Sequence, residues 1–519
     1  MTMSLQAFKQ FVPRDAWRWM SICLCLALLA GELAIALLSS MHFILSNFLP
    51  DDAFYYFKIA LNIAASHGSS FDSVTVTNGY HPLWMLILAA CYRIFDAAPA
   101  SEAPIRIALT LCALLNFGSA LLIVRLFRTL ARDGGAVFLA SIFWILNPYV
   151  IYETLNGLET SLLVFVILVW ITAALKLSSA SSRLSFFVMG ILSGLLILAR
   201  LDSFFYAIVL LVWLMAVLRA PLRAALLVAF GTVLAIAPYV YWMLKNFGSI
   251  LPSSAVSNTL DLHDALARAG LGEYLRVHAF YVIDSASRLY GYLSAGPIIL
   301  FLIGAALGCM LARKQRWREA FAPQSRFLLV AGAGCLLVLF ANAYGRLLVR
   351  DWYLVPFEIF AALAVAWAAD RIAQEGRKGR VVLAAAGALV VVCFFWSYHT
   401  TLADRHAHGG DLILVSSAQW INAHILLDAR VGVFDAGIIG YYAQPTIINL
   451  DGLVNEGAYQ ALKNRTLLAY MMSMHIDYLI ASQGYIDNYG PRWGGDVQSH
   501  LTFITNLGGE GGLNAYRVR

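Results

Sequence analysis

Residues 50–58 read Pro-Asp-Asp-Ala-Phe-Tyr-Tyr-Phe-Lys and come shortly after an apolar stretch at 19–40. That stretch is long enough to cross the ~30 Å hydrocarbon core of a bilayer as a helix. Asp51 and Asp52 are therefore predicted to lie at a membrane surface, just past the first span. Two adjacent carboxylates at this place in a very apolar chain indicate a structural or a chemical role.

The composition is that of a polytopic membrane protein with a modest soluble part. Of the 519 residues, 61% are hydrophobic and 13% are charged, and the mean hydropathy is +0.73. These values exclude a soluble enzyme. The formal charge of +6 comes from Lys and Arg clustered between apolar spans, which is a topology signal and argues against nucleic-acid binding. The seven cysteines fall in apolar segments without metal-ligand spacing, so neither disulfides nor a zinc site is predicted.

Eleven apolar segments predict transmembrane helices. They lie at 19–40, 104–126, 136–152, 158–176, 185–200, 203–219, 222–244, 295–312, 326–344, 353–370 and 380–398. Segment 82–95 is apolar but shorter than the ~17 residues that a spanning helix needs. If it lies in the interface, most basic residues of the short loops fall on one side, as the positive-inside rule requires. The sequence therefore predicts a cytoplasmic N-terminus, with the C-terminus and the Asp pair on the outer side. In a bacterium the membrane would be the inner membrane and the outer side the periplasm.

This topology divides the chain into a membrane domain and a soluble C-terminal part. The predicted parts are the transmembrane domain 1–398 with its first outer loop 41–103 and second large outer loop 245–294, and the periplasmic domain 399–519. Strand-like runs at 430–434 and 446–450, after an apolar-periodic segment at 412–427, predict a small α/β domain. The expected fold is a polytopic α-helical membrane protein of about 11 transmembrane helices, with interfacial helices in the first outer loop and this domain at the C-terminus.

The first outer loop begins with a predicted helix. Residues 53–66 have helical periodicity, with Lys58 and Asn62 on a polar face, which predicts an amphipathic helix lying on the membrane. A plain explanation of the Asp pair is a cap, because an Asp side chain accepts the unpaired amide hydrogens of a first helical turn. One residue is enough for a cap, so either Asp51 or Asp52 has another role.

Two further polar segments emerge on the same face. The turn Thr77-Asn78-Gly79-Tyr80-His81 leads into segment 82–95, where Trp84 is typical of an interfacial anchor and His81 is an anchor or a ligand contact. Glu159 lies in the short outer loop between the third and fourth spans, at the start of a predicted helix, where a capping role is the plain alternative. Acidic residues from two loops thus meet on one side of the membrane.

These features together resemble the GT-C class of integral-membrane glycosyltransferases. The segments DDAFYYFKIALNIAASHG (51–68) and TNGYHPLW (77–84) further resemble bacterial members that use polyprenyl-phosphate sugars, among them arabinofuranosyltransferases of mycobacterial type and relatives of the lipid A aminoarabinose transferase. The likeness extends over spans one to seven. It implies a lipid-linked donor that enters sideways between helices. It also implies single-displacement transfer of a pentose such as arabinose, or of a hexose, to a hydroxyl of an envelope glycan, glycolipid or protein.

The resemblance implies an Asp of the first outer loop as general base. Asp51 or Asp52 would accept the proton of the attacking hydroxyl, and Glu159 would be a second acidic contact to sugar or acceptor. The adjacent carboxylates depart from the D-x-D motif with which relatives that use lipid-diphosphate donors hold a divalent metal. We therefore expect no metal cofactor, with a metal bridging the Asp pair and Glu159 as the alternative.

A departing phosphate needs cations on the outer face. Arg346, Arg350 and Arg200 are the candidates, because arginine binds phosphate bidentately and keeps its charge. The plain alternatives are an Arg350–Asp351 pair and an Arg200 side chain that snorkels to lipid headgroups. The candidate substrate contacts are His81, Tyr55, Asn78 and Tyr353.

A secondary transporter or a flippase for lipid-linked sugars is the competing interpretation. Eleven spans and two intramembrane acids, Glu32 and Glu358, are compatible with it. Transporters usually have repeated halves with broken helices at the midplane. Here the polar residues gather in outer loops and the halves do not resemble each other. A non-catalytic assembly protein would leave the Asp pair and Glu159 unexplained, so the sequence favours the glycosyltransferase.

Overall fold

The computed structural model describes residues 14–257, 296–312, 323–345, 350–407, 410–508 and 512–519, with a few isolated positions between 260 and 279. Sixteen described helices precede the C-terminal domain. In chain order those given a label here are α1 (Arg14–Leu38), α2 (Met41–Asn47), α3 (Asp51–Ala64), α4 (Pro82–Ile94), α5 (Ala103–Leu130), α6 (Gly134–Ile145), α7 (Pro148–Thr154), α8 (Thr160–Ala174), α9 (Arg183–Ala199), α10 (Phe204–Val212), α11 (Leu222–Phe247), α12 (Ser253–Ser257), α13 (Gly296–Ala312), α14 (Pro323–Gly345), α15 (Val355–Ala373) and α16 (Arg377–Ala407).

A helix lies at every position predicted to span the membrane, which confirms the helical, multi-pass class. In the described part of the chain, five helices are long and apolar enough to cross a bilayer alone. They become six if α6 and α7, bent by 48° at their junction, form one span. Other helices, such as α8 and α9, are apolar but too short to cross a bilayer alone by this measure of length. The number of eleven spans and the orientation stay predictions.

The C-terminal domain is built on a five-stranded sheet of order β2-β1-β3-β5-β4. Its elements are α17 (Gly410–His424), β1 (Arg430–Val433), α18 (Gly437–Tyr442), β2 (Thr446–Asn449), α19 (Glu456–Asn464), α20 (Leu467–Ser473), β3 (Tyr478–Ser482), α21 (Gln483–Asn488), β4 (Leu501–Asn506) and β5 (Leu513–Val518). Strand β1 pairs in parallel with β2 and β3, and β5 is antiparallel to β3 and β4. The prediction of an α/β domain is confirmed. Its buried parallel strands correspond to the continuous apolar runs in the sequence, as expected for strands covered on both faces. Helix α16 continues to Ala407, so the predicted boundary at 399 falls inside it.

Helix α3 is enclosed by protein, and most of its side chains are buried between α4 and α18. Asn62, predicted to lie on a polar surface, is only 8% exposed. Its side chain donates to the carbonyl oxygens of Ser70 at 2.7 Å and Phe71 at 3.4 Å. The prediction of a solvated polar face is therefore wrong at Asn62, because this amide holds the following loop against the helix.

Helix α4 is tied to the loop that precedes α8. Trp84 is fully buried, and its indole N–H donates to the carbonyl oxygen of Gly157 at 3.0 Å. An interfacial anchor would instead present its ring to lipid headgroups. The anchor interpretation of Trp84 is wrong, and its packing fixes α4 next to the segment that presents Glu159.

The two intramembrane acids join helices to each other. Glu32 on α1 accepts a hydrogen bond from Asn116 on α5 at 3.0 Å, and the same amide reaches the hydroxyl of Thr154 on α7 at 2.8 Å. Glu358 on α15 accepts from Asn147, at the bend between α6 and α7, at 3.1 Å. Each acid therefore has an amide partner on another segment of the membrane part, which joins the helices to each other.

Candidate active site

Helix α3 directs its first-turn residues to two different sides. Successive helical residues are about 100° apart, whereas residues four apart lie on one face. Asp51 and Tyr55 share the face that meets the C-terminal domain. Asp52 and Tyr56 share the next face, and the Tyr56 hydroxyl reaches Glu159. The two adjacent aspartates therefore have different surroundings, although sequence analysis did not distinguish them.

Asp51 holds the C-terminal domain. Its Oδ2 accepts the amide hydrogen of Gly437 at 3.0 Å, and its Oδ1 accepts that of Ile438 at 2.6 Å. Burial raises the pKa of Asp51 to about 8, the two amides act to lower it, and the nearby carboxylates of Asp52 and Asp435 act to raise it. Asp51 is thus a cap, as the plain interpretation proposed, but for α18 and not for the helix on which it lies.

Tyr55, predicted to contact substrate, also faces the C-terminal domain and is 5% exposed. Its hydroxyl accepts the amide hydrogen of Ala436 at 2.9 Å and a side-chain hydrogen of Asn449 at 3.2 Å. It lies 3.4 Å from a carboxylate oxygen of Asp451. Burial, and then the Asp451 carboxylate, raise the pKa of Tyr55 well above its usual value. The hydroxyl is therefore engaged by the domain and stays protonated.

Glu159 is the centre of the second group of polar side chains and is 3% exposed. Its Oε2 accepts from the Tyr56 hydroxyl at 3.0 Å. Its Oε1 lies 3.5 Å from Nε2 of His81 and 4.0 Å from Nη1 of Arg200. Glu159 makes no side-chain capping hydrogen bond to α8. The capping interpretation of Glu159 is wrong, and the structure brings it together with two other predicted residues.

The orientation of His81 follows from its hydrogen bonds. Its Nδ1 accepts the amide hydrogen of Leu201 at 3.3 Å. A neutral imidazole carries its proton on the other ring nitrogen when one nitrogen accepts. The Nε2–H of His81 is therefore directed at Glu159. The side chain of His81 is 22% exposed. It is therefore more accessible than Glu159 and Arg200, the other two members of this group.

Arg200 is buried, with 2% of its side chain exposed, and is surrounded by acidic and aromatic groups. Its Nε contacts the two carboxylate oxygens of Asp202 at 3.1 and 3.2 Å. Its guanidinium carbon lies 3.7 Å from the ring centroid of Tyr353. Asn342 donates to Asp202 at 2.8 Å. The prediction that Arg200 snorkels to headgroups is wrong. Its charge is compensated by Asp202 and Glu159, and within the described residues its Nη1 makes no hydrogen bond.

The remaining predicted residues lie apart from this group or outside the described part of the chain. Arg350 is exposed, and its guanidinium carbon is 5.9 Å from the ring centroid of Trp352. Arg346 lies outside the described residues. Asn78 is 1% exposed, and its side-chain oxygen accepts the amide hydrogen of Ser253 at 2.9 Å. Asn78 therefore fixes the start of the second outer loop, and its substrate contact stays a prediction.

Sequence reasoning missed Tyr56, Asp202 as a partner of Arg200, and Asn342. Helical spacing could have found Tyr56, because it lies four residues after Asp52. Asn342 has no sequence signal, since its contact to Asp202 joins segments 140 residues apart. Across the described ranges, no group of three or more His, Cys, Asp or Glu side chains is arranged to hold a metal ion. Metal independence stays a prediction.

The group around Glu159 has the donors and acceptors to recognise hydroxyl groups. It presents the Glu159 carboxylate, which accepts a hydrogen bond from the Tyr56 hydroxyl, together with the imidazole N–H of His81 and a guanidinium N–H of Arg200. These groups lie next to the helix face of Asp52. Buried polar groups of this kind bind sugars well, because a missing ligand hydroxyl leaves one of them unpaired.

Comparisons with known proteins agree with this architecture. A family described as a domain of unknown function (DUF8728) matches residues 402–518. None of the curated proteins matches the chain in sequence. The crystal structure of ArnT from Cupriavidus metallidurans bound to undecaprenyl phosphate is similar, with a TM-score of 0.60 and 13% identity over 97% of this chain and 98% of that chain. The structure of the same ArnT in the apo state has a TM-score of 0.58 and 13% identity over 94% and 97% of the two chains. The chain therefore has the fold of ArnT along almost its whole length, which confirms the fold that the GT-C resemblance implied.

Proposed function

We propose that this protein is a membrane glycosyltransferase. It would move a sugar, a pentose such as arabinose or a hexose, from a polyprenyl-phosphate donor to a hydroxyl of an envelope glycan, glycolipid or protein on the outer face of the membrane. The observation that carries the proposal is the meeting of the Asp52 face of α3 with the group around Glu159. It occurs in a chain with the fold of ArnT, one structure of which has undecaprenyl phosphate bound.

In this proposal Asp52 is the general base. The acceptor oxygen forms a bond to the anomeric carbon of the sugar while its proton passes to Asp52. The bond from that carbon to the phosphate oxygen breaks, and its electron pair leaves with the polyprenyl phosphate. A positioned carboxylate typically contributes about 10²–10⁴-fold to such a step. We favour Asp52 over Asp51 for this role, because both oxygens of Asp51 already accept amide hydrogens from the C-terminal domain.

Glu159 and His81 would bind sugar or acceptor hydroxyls, since a carboxylate accepts and the Nε2–H of His81 donates. Tyr353 keeps Arg200 in place by stacking on it. Arg350 is exposed, and its carbonyl oxygen accepts the amide hydrogen of Tyr353 at 3.0 Å. We assign the donor phosphate to Arg350, with Arg346 as a second candidate.

The test is transfer of labelled sugar from a panel of synthetic polyprenyl-phosphate donors by the purified protein. Wild type should transfer sugar from at least one donor, and Asp52→Asn should bind that donor but lose turnover. A chelator should leave the rate unchanged. If wild type transfers from none of the donors, the proposal is refuted, and flux of lipid-linked sugars in liposomes becomes the next measurement.

A further inference from the structure

We propose that the C-terminal domain matched by the family of unknown function, residues 402–518, is a positioning element of the active site. It holds the first turn of α3 through the carboxylate of Asp51 and thereby fixes the direction of Asp52. The effect on transfer rests on the function proposed above, whereas the effect on α3 itself does not depend on it.

The contact between Asp51 and the domain is strong and specific. A buried amide hydrogen without an acceptor is costly, and Asp51 accepts two of them at the start of α18. Both oxygens of Asp51 are engaged, one by Gly437 and one by Ile438. Four residues later on the same face, the Tyr55 hydroxyl accepts the amide hydrogen of Ala436. Three consecutive amides of the domain therefore hold two successive turns of α3.

The shape of the domain is matched to α3 at this point. A Cβ atom on Gly437 would lie 2.2 Å from the carbonyl oxygen of Asp51 and 2.8 Å from its Oδ2. Real Cβ atoms do not approach backbone so closely, so only glycine allows this contact. A Cβ on Gly440, one turn later, would lie 2.3 Å from the ring of Phe71. The surface of α18 thus fits α3 and the loop after it.

Other contacts fix the domain to separate loops of the membrane part. The Tyr441 hydroxyl donates to the carbonyl oxygen of Ser101 at 2.7 Å. The Ser253 hydroxyl donates to the carbonyl oxygen of Leu453 at 2.9 Å. The domain is therefore fixed at several separated points, as a rigid positioning element has to be.

The consequence for chemistry comes from the position of Asp52 in the first turn of α3. The first four N–H groups of a helix have no partner within it, so helix ends fray. The domain holds this end of α3 through Asp51, the residue next to Asp52. Without that hold, Asp52 would lose a fixed direction, and misplacement of a catalytic group by about 1 Å can cost about 10²-fold in rate.

The experiment compares two glycine substitutions in the same domain of the full-length protein. Gly437→Ala places a methyl group against Asp51, whereas a Cβ on Gly490 meets nothing within 4 Å, so Gly490→Ala is the matched control. We expect Gly437→Ala to lower kcat by about tenfold or more with little change in donor KM. It should also speed hydrogen exchange of the amides in the second turn of α3, which donate to carbonyl oxygens of the first turn. Gly490→Ala should match wild type in both measurements.

Wild-type exchange in α3 and a wild-type kcat for Gly437→Ala would overturn the proposal. If Gly437→Ala does not fold, Asp51→Ala and Asp51→Asn replace it, and faster α3 exchange in Asp51→Ala than in Asp51→Asn is then required. If wild type transfers from no donor, the function proposed above fails, while the exchange comparison still decides whether the domain holds α3.

Discussion

Replacing Tyr56 by phenylalanine removes one hydroxyl and two hydrogen bonds from the centre of the candidate site. The hydroxyl donates to Glu159 at 3.0 Å and accepts the amide hydrogen of His81 at 2.9 Å. Tyr56 is 7% and Glu159 3% exposed, so water does not readily replace the lost partner. Among the described residues, the Glu159 carboxylate would keep the longer contacts, 3.5 Å to His81 and 4.0 Å to Arg200.

The expected magnitude follows from the charge of the acceptor. A hydrogen bond to a charged group contributes about 1.5–3 kcal/mol. With each ~1.4 kcal/mol corresponding to a tenfold change in rate, Tyr56→Phe should lower kcat by about 10- to 150-fold. The loss requires that Glu159 bind the sugar or acceptor more tightly in the transition state than before it.

The assay is steady-state transfer from the donor that wild type uses, with Tyr55→Phe as the matched control. That variant loses the same hydroxyl one residue earlier, but from the face that contacts the C-terminal domain, where Asp51 keeps both amide contacts. Its kcat should fall less than that of Tyr56→Phe. A double variant of Tyr56→Phe with Glu159→Gln should be no slower than Glu159→Gln alone, because the two side chains act together. Equal losses in the two tyrosine variants, or additive losses in the double variant, would refute the reasoning.

Three further predictions concern stability, each measured by thermal unfolding in detergent. Burial raises the pKa of Asp51 to about 8, so the folded protein keeps a proton that the unfolded chain releases near pH ~4. The stability from this group is complete below that pH and is lost as the pH rises through about 8. Asp51→Asn should lack this slope, and an identical slope would contradict the assignment. Glu358→Gln should melt near wild type because its side chain can still accept a hydrogen bond from Asn147. Glu358→Leu should lower the free energy of unfolding by about 1–3 kcal/mol, and equal melting temperatures of the two variants would contradict this role of Glu358. Trp84→Phe should destabilise the protein by a similar amount. The same change at Trp19, which is 62% exposed, should have little effect, and equal effects at both sites would restore the interpretation of Trp84 as an interfacial anchor.

The class of the fold could be predicted because long apolar runs have few physical solutions. A chain in a bilayer must pair its own backbone groups, and a single segment does so as a helix. The prediction was weaker where a span is short or bent, as at α8, α9 and the α6–α7 pair. Length and composition then no longer decide between a crossing helix and a buried one.

The site was predicted in part because acidic residues in outer loops are few. Glu159, His81, Arg200 and Tyr353 were selected from sequence, and the structure places them together. The different roles of Asp51 and its neighbour could not be predicted, since the partner of Asp51 lies 386 residues away in the chain. Only a tertiary contact distinguishes two adjacent identical side chains.

In the proposed function, the charges around Arg200 bear on which arginine binds the donor phosphate. Arg200 lies against two carboxylates, those of Asp202 and Glu159. A phosphate placed on Arg200 would add negative charge to a buried group that already has more negative than positive charges when His81 is neutral. Buried like charges repel strongly because the surroundings screen them weakly. In the proposed function the phosphate is therefore better placed on the exposed Arg350, one turn before Tyr353, while Arg200 stays paired with Asp202 and Glu159. Arg350→Gln should then raise the KM for donor, whereas Arg200→Gln should lower kcat and stability together, and kinetics showing the reverse would return the phosphate to Arg200.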